Sequence, residues 1–343
     1  MSAANVSKWK SVLITAAFPV IMFLLMDILC LAVQGRHMFI SILDVQNYVR
    51  ATCIAACTAL ALSLNLSNGR FDLSLGAQRL AAAILGGNLA IRLGLGGMGV
   101  LLFALAFGLV LGGIVGLIFV WFRTPAMVLG IGMALIYECL AFVGSNSKGL
   151  QLYAAPKARN LSNMYLCIVV LLVVLAIFLI LIKYTRFGYH MRAIGGSQKI
   201  AHNSGINIFT HAVGCYTLAG GAIACAGVFE AAYSGSMEAA MGLTSNSVVM
   251  TNCFPMYLGK YLARWSNEAV GILVSAMTIK IFQTGLSIMK FSMTEQRVFT
   301  LVLFLVFLVF RANESIFSVR RAKKARIAAA LEKKKLMMQA VSV

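Results

Sequence analysis

Apolar residues along this chain come in long blocks, and the blocks rather than any short alternation set the architecture. Ten of them, at 11–33, 49–66, 75–93, 98–121, 126–144, 164–184, 209–232, 243–262, 269–289 and 294–310, approach or exceed the roughly 20 residues that cross a bilayer as a helix. The pattern predicts an all-α membrane protein of about ten transmembrane helices filling residues 11–312, with a short segment 1–10 before it and a tail 313–343 after it. The polar stretches between blocks are too short for a sizeable soluble domain. An even number of spans puts both termini on one side.

Composition agrees: of 343 residues 61% are hydrophobic and only 11% charged, against about 25% charged in soluble domains. Charge then orients the chain. Lys8, Lys10, Arg123, Lys183, Arg186, Arg192, Lys199 and the basic tail from Arg311 fall on one face, which the excess of Lys and Arg marks as cytoplasmic. Lys148, Lys157 and Arg159 on the other face run against this rule. The net charge of +19 is concentrated on the inner face and tail, where anionic lipid attracts it, and nucleic acid is not expected as a partner. The tail reads either as a basic surface helix or as a solvated segment. The first block follows two lysines but is long enough to span and lacks a small-residue cleavage site, so it is kept as a span.

Several motifs carry no chemistry. Gly94-Leu95-Gly96-Gly97-Met98-Gly99 matches a dinucleotide-binding spacing, yet it lies between two spans with no preceding strand and predicts a tight turn. Phosphate-binding loops, zinc-protease motifs and nucleophile elbows do not occur, so neither catalysis nor ATP hydrolysis is expected of this chain. The eight cysteines lie in or beside apolar blocks without a C-x-x-C, and the four histidines are scattered. No disulfide framework, metal or other cofactor is expected. Cys53 and Cys57, one turn apart, read as packing residues.

Three constellations remain. The first is the polar interruption 65–76, which contains Asn68, Asp72 and Ser74. Irregular backbone at membrane depth survives only inside protein or beside water, so this segment predicts a broken helix near a transport path, with Asp72 and Ser74 able to cap the helix that follows. The second is the set of ionisable residues inside spans, Asp27, Arg79, Glu138, Glu230 and Lys280, each of which needs a partner or a wet cavity. The third is the polar, glycine-punctuated stretch 183–208. It cannot remain in hydrocarbon, and Gly195-Gly196, the short run 198–203 and Gly205 predict a turn, a short helix and a left-handed stop.

Thr185-Arg186-Phe187-Gly188, then Ala193-Ile194-Gly195-Gly196, Ala201 and Ser204-Gly205-Ile206-Asn207 resemble the cytoplasmic coupling loop of permeases in ribose-type ABC sugar importers. Gly69-x-x-Asp72-Leu73-Ser74-x-Gly76 resembles the Gly-Gly-Ile-Asp-Leu-Ser-Val-Gly signature of the same permeases, with departures at Asn68, Arg70 and Phe71. The likeness spans about residues 45–310 and fades toward the end, where only Gly259 stands in for the family's paired glycines.

The resemblance implies a type II-like importer permease of the bacterial inner membrane, similar to the ribose, galactose and autoinducer-2 systems and moving a small polar solute. Its path candidates are Asn68, Asp72, Ser74, Arg79 and Glu138. Its ATPase-coupling candidates are Gly188, Arg192, Ala193, Gly195, Gly196, Ala201 and Gly205, the small residues forming an exposed face. Implied partners are ABC ATPase subunits, a second permease chain, identical or different, and an extracytoplasmic substrate-binding protein, with anionic lipids at the tail. The family usually carries arginine where Glu138 stands and a small or apolar residue where Arg79 stands, which fits an exchanged Arg79–Glu138 ion pair, the alternative being that either residue snorkels or faces another subunit. The rival readings are a nucleoside or branched-chain amino acid permease, and an ion-coupled transporter working through Asp27, Glu138 or Glu230.

Overall fold

Caps, more than the apolar blocks themselves, set the helix limits in the computed structural model, which describes residues 8–314. Helix α1 (Lys8–Gln34) is followed by α2 (Ile42–Leu66), which begins seven residues before the expected span. The reason is a capping box: the Ser41 hydroxyl accepts from Leu43 N at 3.2 Å and the Asp44 carboxylate accepts from Ser41 N at 3.0 Å. After a turn come α3 (Leu75–Ala81), a π-helical turn (Ala82–Gly86) and α4 (Gly87–Arg92), running on as one interrupted helix. Gly94, at φ +69°, makes the tight turn expected before α5 (Gly97–Phe122), and α6 (Ala126–Gly144) follows.

A short strand β1 (Leu150–Gln151) and a 3-10 turn (Pro156–Ser162) precede α7 (Met164–Tyr184). The polar stretch then forms two helices, α8 (Arg186–Gly196) and α9 (Gln198–Asn203). Next are α10 (Ile208–Ser234), β2 (Ser236–Met237), α11 (Asn246–Leu262) and α12 (Glu268–Ile288). Strands β1 and β2 pair antiparallel, Leu150 opposite Met237. Since α10 has 27 residues, at 1.5 Å each, the α8–α9 pair and the β1–β2 pair sit at opposite ends of the bundle. Residues from Met293 onward form a separate unit, of which α13 (Met293–Glu314) is described. The expected tail beyond Glu314 and the first seven residues lie outside the described residues.

Among the described residues, eight helices are long and apolar enough to cross a membrane, two fewer than the number of expected spans. The expected span 75–93 is divided by the π turn and carries Gln78 and Arg79. The expected span 243–262 becomes helical only at Asn246 and is 17 residues long. Among the helices long enough to span, α2 and α10 are the most buried, and the short α3 is buried throughout. Helix α10 crosses α5 backbone to backbone: a Cβ at Gly108 or Gly112 would collide with the carbonyl of Gly220 or Tyr216, and one at Gly116 would lie 2.8 Å from Val213 Cα. Glycines four apart on α5 thus make the close-approach seam by which membrane helices gain dispersion contact.

Candidate functional site

The polar break is a closed turn. Gly69 takes φ +72°, and the backbone N–H groups of Ser67, Asn68, Gly69 and Arg70 all donate to carbonyls of the last turns of α2. Asp72 Oδ1 accepts from Ser74 N at 2.8 Å and Ser74 Oγ at 2.6 Å, and Oδ2 accepts from Asn65 Nδ2 at 3.2 Å. Gln78 Nε2 donates to Ser74 Oγ at 2.7 Å, while Asn68 Nδ2 donates to Leu64 O and Cys215 Sγ. Asp72 therefore secures the free amide at the start of α3, because Ser74, the N-cap residue, makes no cap bond with its own side chain. Asn68, Asp72 and Ser74 are each 2% exposed or less. Arg70 lies 5.2 Å over the Phe119 ring and reaches Ile208 O, sealing the turn from the α10 side.

The expected Arg79–Glu138 pair does not form. Arg79 pairs with Glu230 of α10, and Glu138, fully buried, accepts from the backbone N–H groups of Leu243 at 2.8 Å and Ser245 at 2.9 Å. The physical reason lies in the packing. Gly227 lets α10 approach the Arg79 backbone to 2.6 Å from a Cβ built there, which brings Glu230, one turn on, within reach of the guanidinium. Glu138 instead meets the non-helical segment before α11, whose amides have no helical partners. The other two ionisable residues expected to need partners have them: Asp27 accepts from Met38 N at 2.7 Å and lies 3.0 Å from His37, and Lys280 donates to Gln283 at 2.8 Å.

A cavity of about 310 Å³ lies beside the Arg79–Glu230 pair. Its wall includes Arg79, Glu230, Ser236, Glu238, Thr244 and Ser245. Of the five path candidates, Arg79 alone borders this cavity, while Asp72, Ser74 and Glu138 are taken up by internal hydrogen bonds and Asn68 donates through Nδ2 with its buried Oδ1 left without a partner among the described residues. Sequence reasoning picked out Glu230 as an ionisable residue in a span but not as the partner of Arg79. No group of three or more His, Cys, Asp or Glu able to hold a metal occurs among the described residues.

At the other end, α8 and α9 rest on the same turn from below. A Cβ at Gly195 would collide with Ser67 O, and Gln198 Nε2 donates to Asn68 O at 3.4 Å. Gly195 and Gly196 thus close α8 rather than form a turn of their own; the break falls at Ser197, whose hydroxyl accepts from Ile200 N and caps α9. Gly205, at φ +79°, ends α9 as expected, and Gly188 is needed where α8 folds back against Ile182 O. Arg192 and Gly196 are exposed and Ala193 is half-buried. Ala201 is 2% exposed, so it is not part of an outward face; that face belongs to Lys199, Ile200, His202 and Asn203. Ser67 Oγ also accepts from Lys260 Nζ at 2.9 Å and donates to Glu268 Oε1 at 3.2 Å, tying the turn to the α11–α12 corner. Lys260 and Glu268, opposite charges flanking a five-residue connection, were the sequence signal for that tie.

Comparison with known proteins places this architecture. The ribose import permease protein RbsC of Escherichia coli (strain K12) is 24% identical over 286 residues, covering 78% of this chain and 85% of its own. The fructose import permease protein FrcC of Rhizobium meliloti is 23% identical over 287 residues, covering 80% and 79%. A metal-chelate type ABC transporter solved in an inward-facing conformation superposes with TM-score 0.52 at 15% identity, over 86% of this chain and 98% of that one, a likeness of fold. Residues 45–310 match the family described as branched-chain amino acid transport system / permease component, and with that match covering most of a multi-helix membrane chain, the protein belongs to that family of permeases.

Proposed function

We propose that this chain is the permease subunit of an ATP-driven importer for a small polar solute, a sugar of the ribose or fructose class. It forms the path while a separate ABC ATPase hydrolyses the nucleotide. The observation that carries this reading is the likeness to ribose and fructose import permeases over more than three quarters of the chain. The α8–α9 pair fits the coupling role. It is a short polar helix pair at one end of the bundle, with Ile200 68% exposed at its tip and its base fastened to the turn 67–68. A partner that pushes on α9 moves Ser67 and Asn68, and through Lys260 and Glu268 the α11–α12 corner.

The family description also covers branched-chain amino acid carriers, but the cavity beside Arg79 is lined by hydroxyls and carboxylates, which favours a polar solute over an aliphatic side chain. Glu138 is engaged by two backbone amides, which leaves it poorly suited to carry a coupling ion. In this reading α8 and α9 face the cytoplasm, the β1–β2 end faces the binding protein, both termini are cytoplasmic, and a second permease chain completes the path in a bacterial inner membrane.

Ile200→Glu is the direct test. It alters an exposed residue and leaves the fastening intact, so the variant is expected to insert normally, to lose copurification with the ATPase in mild detergent, and to lose ATP-dependent uptake in proteoliposomes. Normal copurification and uptake would reject the assignment of α9 as the docking element.

A further inference from the structure

Arg79 and Glu230 are the one ion pair joining α3 to α10 among the described residues, and they border a cavity rather than a packed seam. The guanidinium is nearly buried, with a 7% exposed side chain, while the Glu230 side chain is 35% exposed. Three features make this a built site. Arg79 Nε has no hydrogen-bond partner among the described residues, nor has the buried Ser245 Oγ. Helix α3 passes into a π turn within three residues of Arg79, a distortion frequent at functional positions. The far wall, 236–245, is non-helical after β2 and is held in place by Glu138 through the amides of Leu243 and Ser245. An ion pair with one buried partner is costly to retain for stability alone, since apolar residues of similar volume often serve as well.

We propose that this cavity is a solute-binding station that admits an uncharged, polyhydroxylated molecule and rejects its anionic analogues, with Arg79 and Glu230 contacting neighbouring hydroxyls; the assignment rests on the permease reading above and adds the site and its charge selectivity. The charge on the wall sets the selectivity. Glu230 already neutralises Arg79, and Glu238 leaves the lining one formal negative charge in excess, so a carboxylate or phosphate on the solute meets repulsion. A polyol suits the available groups: its hydroxyls donate to Glu230 and Glu238 and accept from Arg79 Nε, and one of them can pair with Ser245 Oγ. The volume, about 310 Å³, is at the lower end of small-molecule sites. Hydroxyl bonds to charged groups that are partly satisfied by each other give weak binding, as a site that must release its solute each cycle requires.

The test uses the complete importer, this chain with its ATPase and binding protein, in proteoliposomes supplied with a panel of labelled neutral pentoses, hexoses and alditols and the corresponding uronates. Wild-type protein is expected to take up at least one neutral member and none of the uronates. The double variant Arg79→Leu/Glu230→Leu, which strands no charge, is expected to assemble with the ATPase and to lose uptake by roughly tenfold or more, since it forfeits charge-assisted bonds. Glu230→Gln keeps the volume and removes the negative charge, and it is expected to admit the uronate as a competitor of neutral uptake. Normal uptake by the double variant, or an unchanged competition profile for Glu230→Gln where the double variant does not assemble, overturns the site and leaves the permease reading standing. Uptake of uronates in preference to neutral members overturns the substrate class, and ATP-independent behaviour of the wild type overturns the permease reading itself.

Discussion

Two stretches of irregular backbone interrupt the helices of this protein, the first mostly buried and the second mostly exposed up to Ser245, and their backbone amides are bound in opposite ways. The turn 67–74 carries its own carboxylate: Asp72 binds Ser74 and Asn65, all within nine residues of chain. The segment 238–245 has its two deepest amides taken by Glu138, more than a hundred residues away in sequence. The first closes on itself. The second depends on α6 for its position, and one of its faces is left to line the space beside Arg79 and Glu230. The turn closes its backbone locally yet keeps Asn65 Oδ1 and Asn68 Oδ1 buried without partners among the described residues, whereas the segment held by Glu138 opens one face, with the Ser245 hydroxyl, onto the cavity.

The largest expected effect separates the two carboxylates. Glu138→Ala strips two fixed backbone donors of a charged acceptor in a buried place and should cost about 3–5 kcal/mol. Thermal unfolding of the purified chain in detergent reads this, and a loss under ~1 kcal/mol would mean the amides find other acceptors.

Asp72→Ala should cost less, about 2–3 kcal/mol, because two of its three donors are rotatable side chains that can turn elsewhere. Combining Asp72→Ala with Asn65→Ala should fall short of additivity by roughly 0.5 kcal/mol or more, while Asp72→Ala and Glu138→Ala, which share no hydrogen-bond partner, should add within about that amount. A strongly coupled Asp72–Glu138 pair would erase the distinction between the two regions.

The smallest effect concerns access. With the exposed native Cys139 replaced, single cysteines at Glu238 or Thr244 should react with a small water-soluble thiol reagent roughly tenfold faster than cysteines at Asn68 or Ser74. Equal rates would place water at the turn 67–74 and return Asn68, Asp72 and Ser74 to the solute path.

How much of this was legible in the chain follows the same division. The left-handed glycine at 205 and the capping of α3 by Asp72 are short-range relations, readable from spacing because their partners lie within a few residues. The outward face of α9 was misread: a helix of six residues has too little periodicity to tell whether Ala201 or Ile200 points inward. Two expected spans fell short in length for a related reason. Hydropathy averages over a window and does not see the π turn after Arg79 or the late start of α11 at Asn246.

The sequence by itself determined an all-helical membrane chain, the ends of most of its helices, its polar interruptions and its kinship with importer permeases, since each of these depends on composition or on neighbours along the backbone. Only the tertiary structure decided that Arg79 answers to Glu230 rather than Glu138, that Glu138 holds the non-helical segment before α11, and that α8 and α9 rest on Ser67 and Asn68. An ionisable group in a span needs a partner, but any opposite charge or free amide at its depth will do. Which one it meets is set by where the small residues, here Gly195 and Gly227, let two backbones approach.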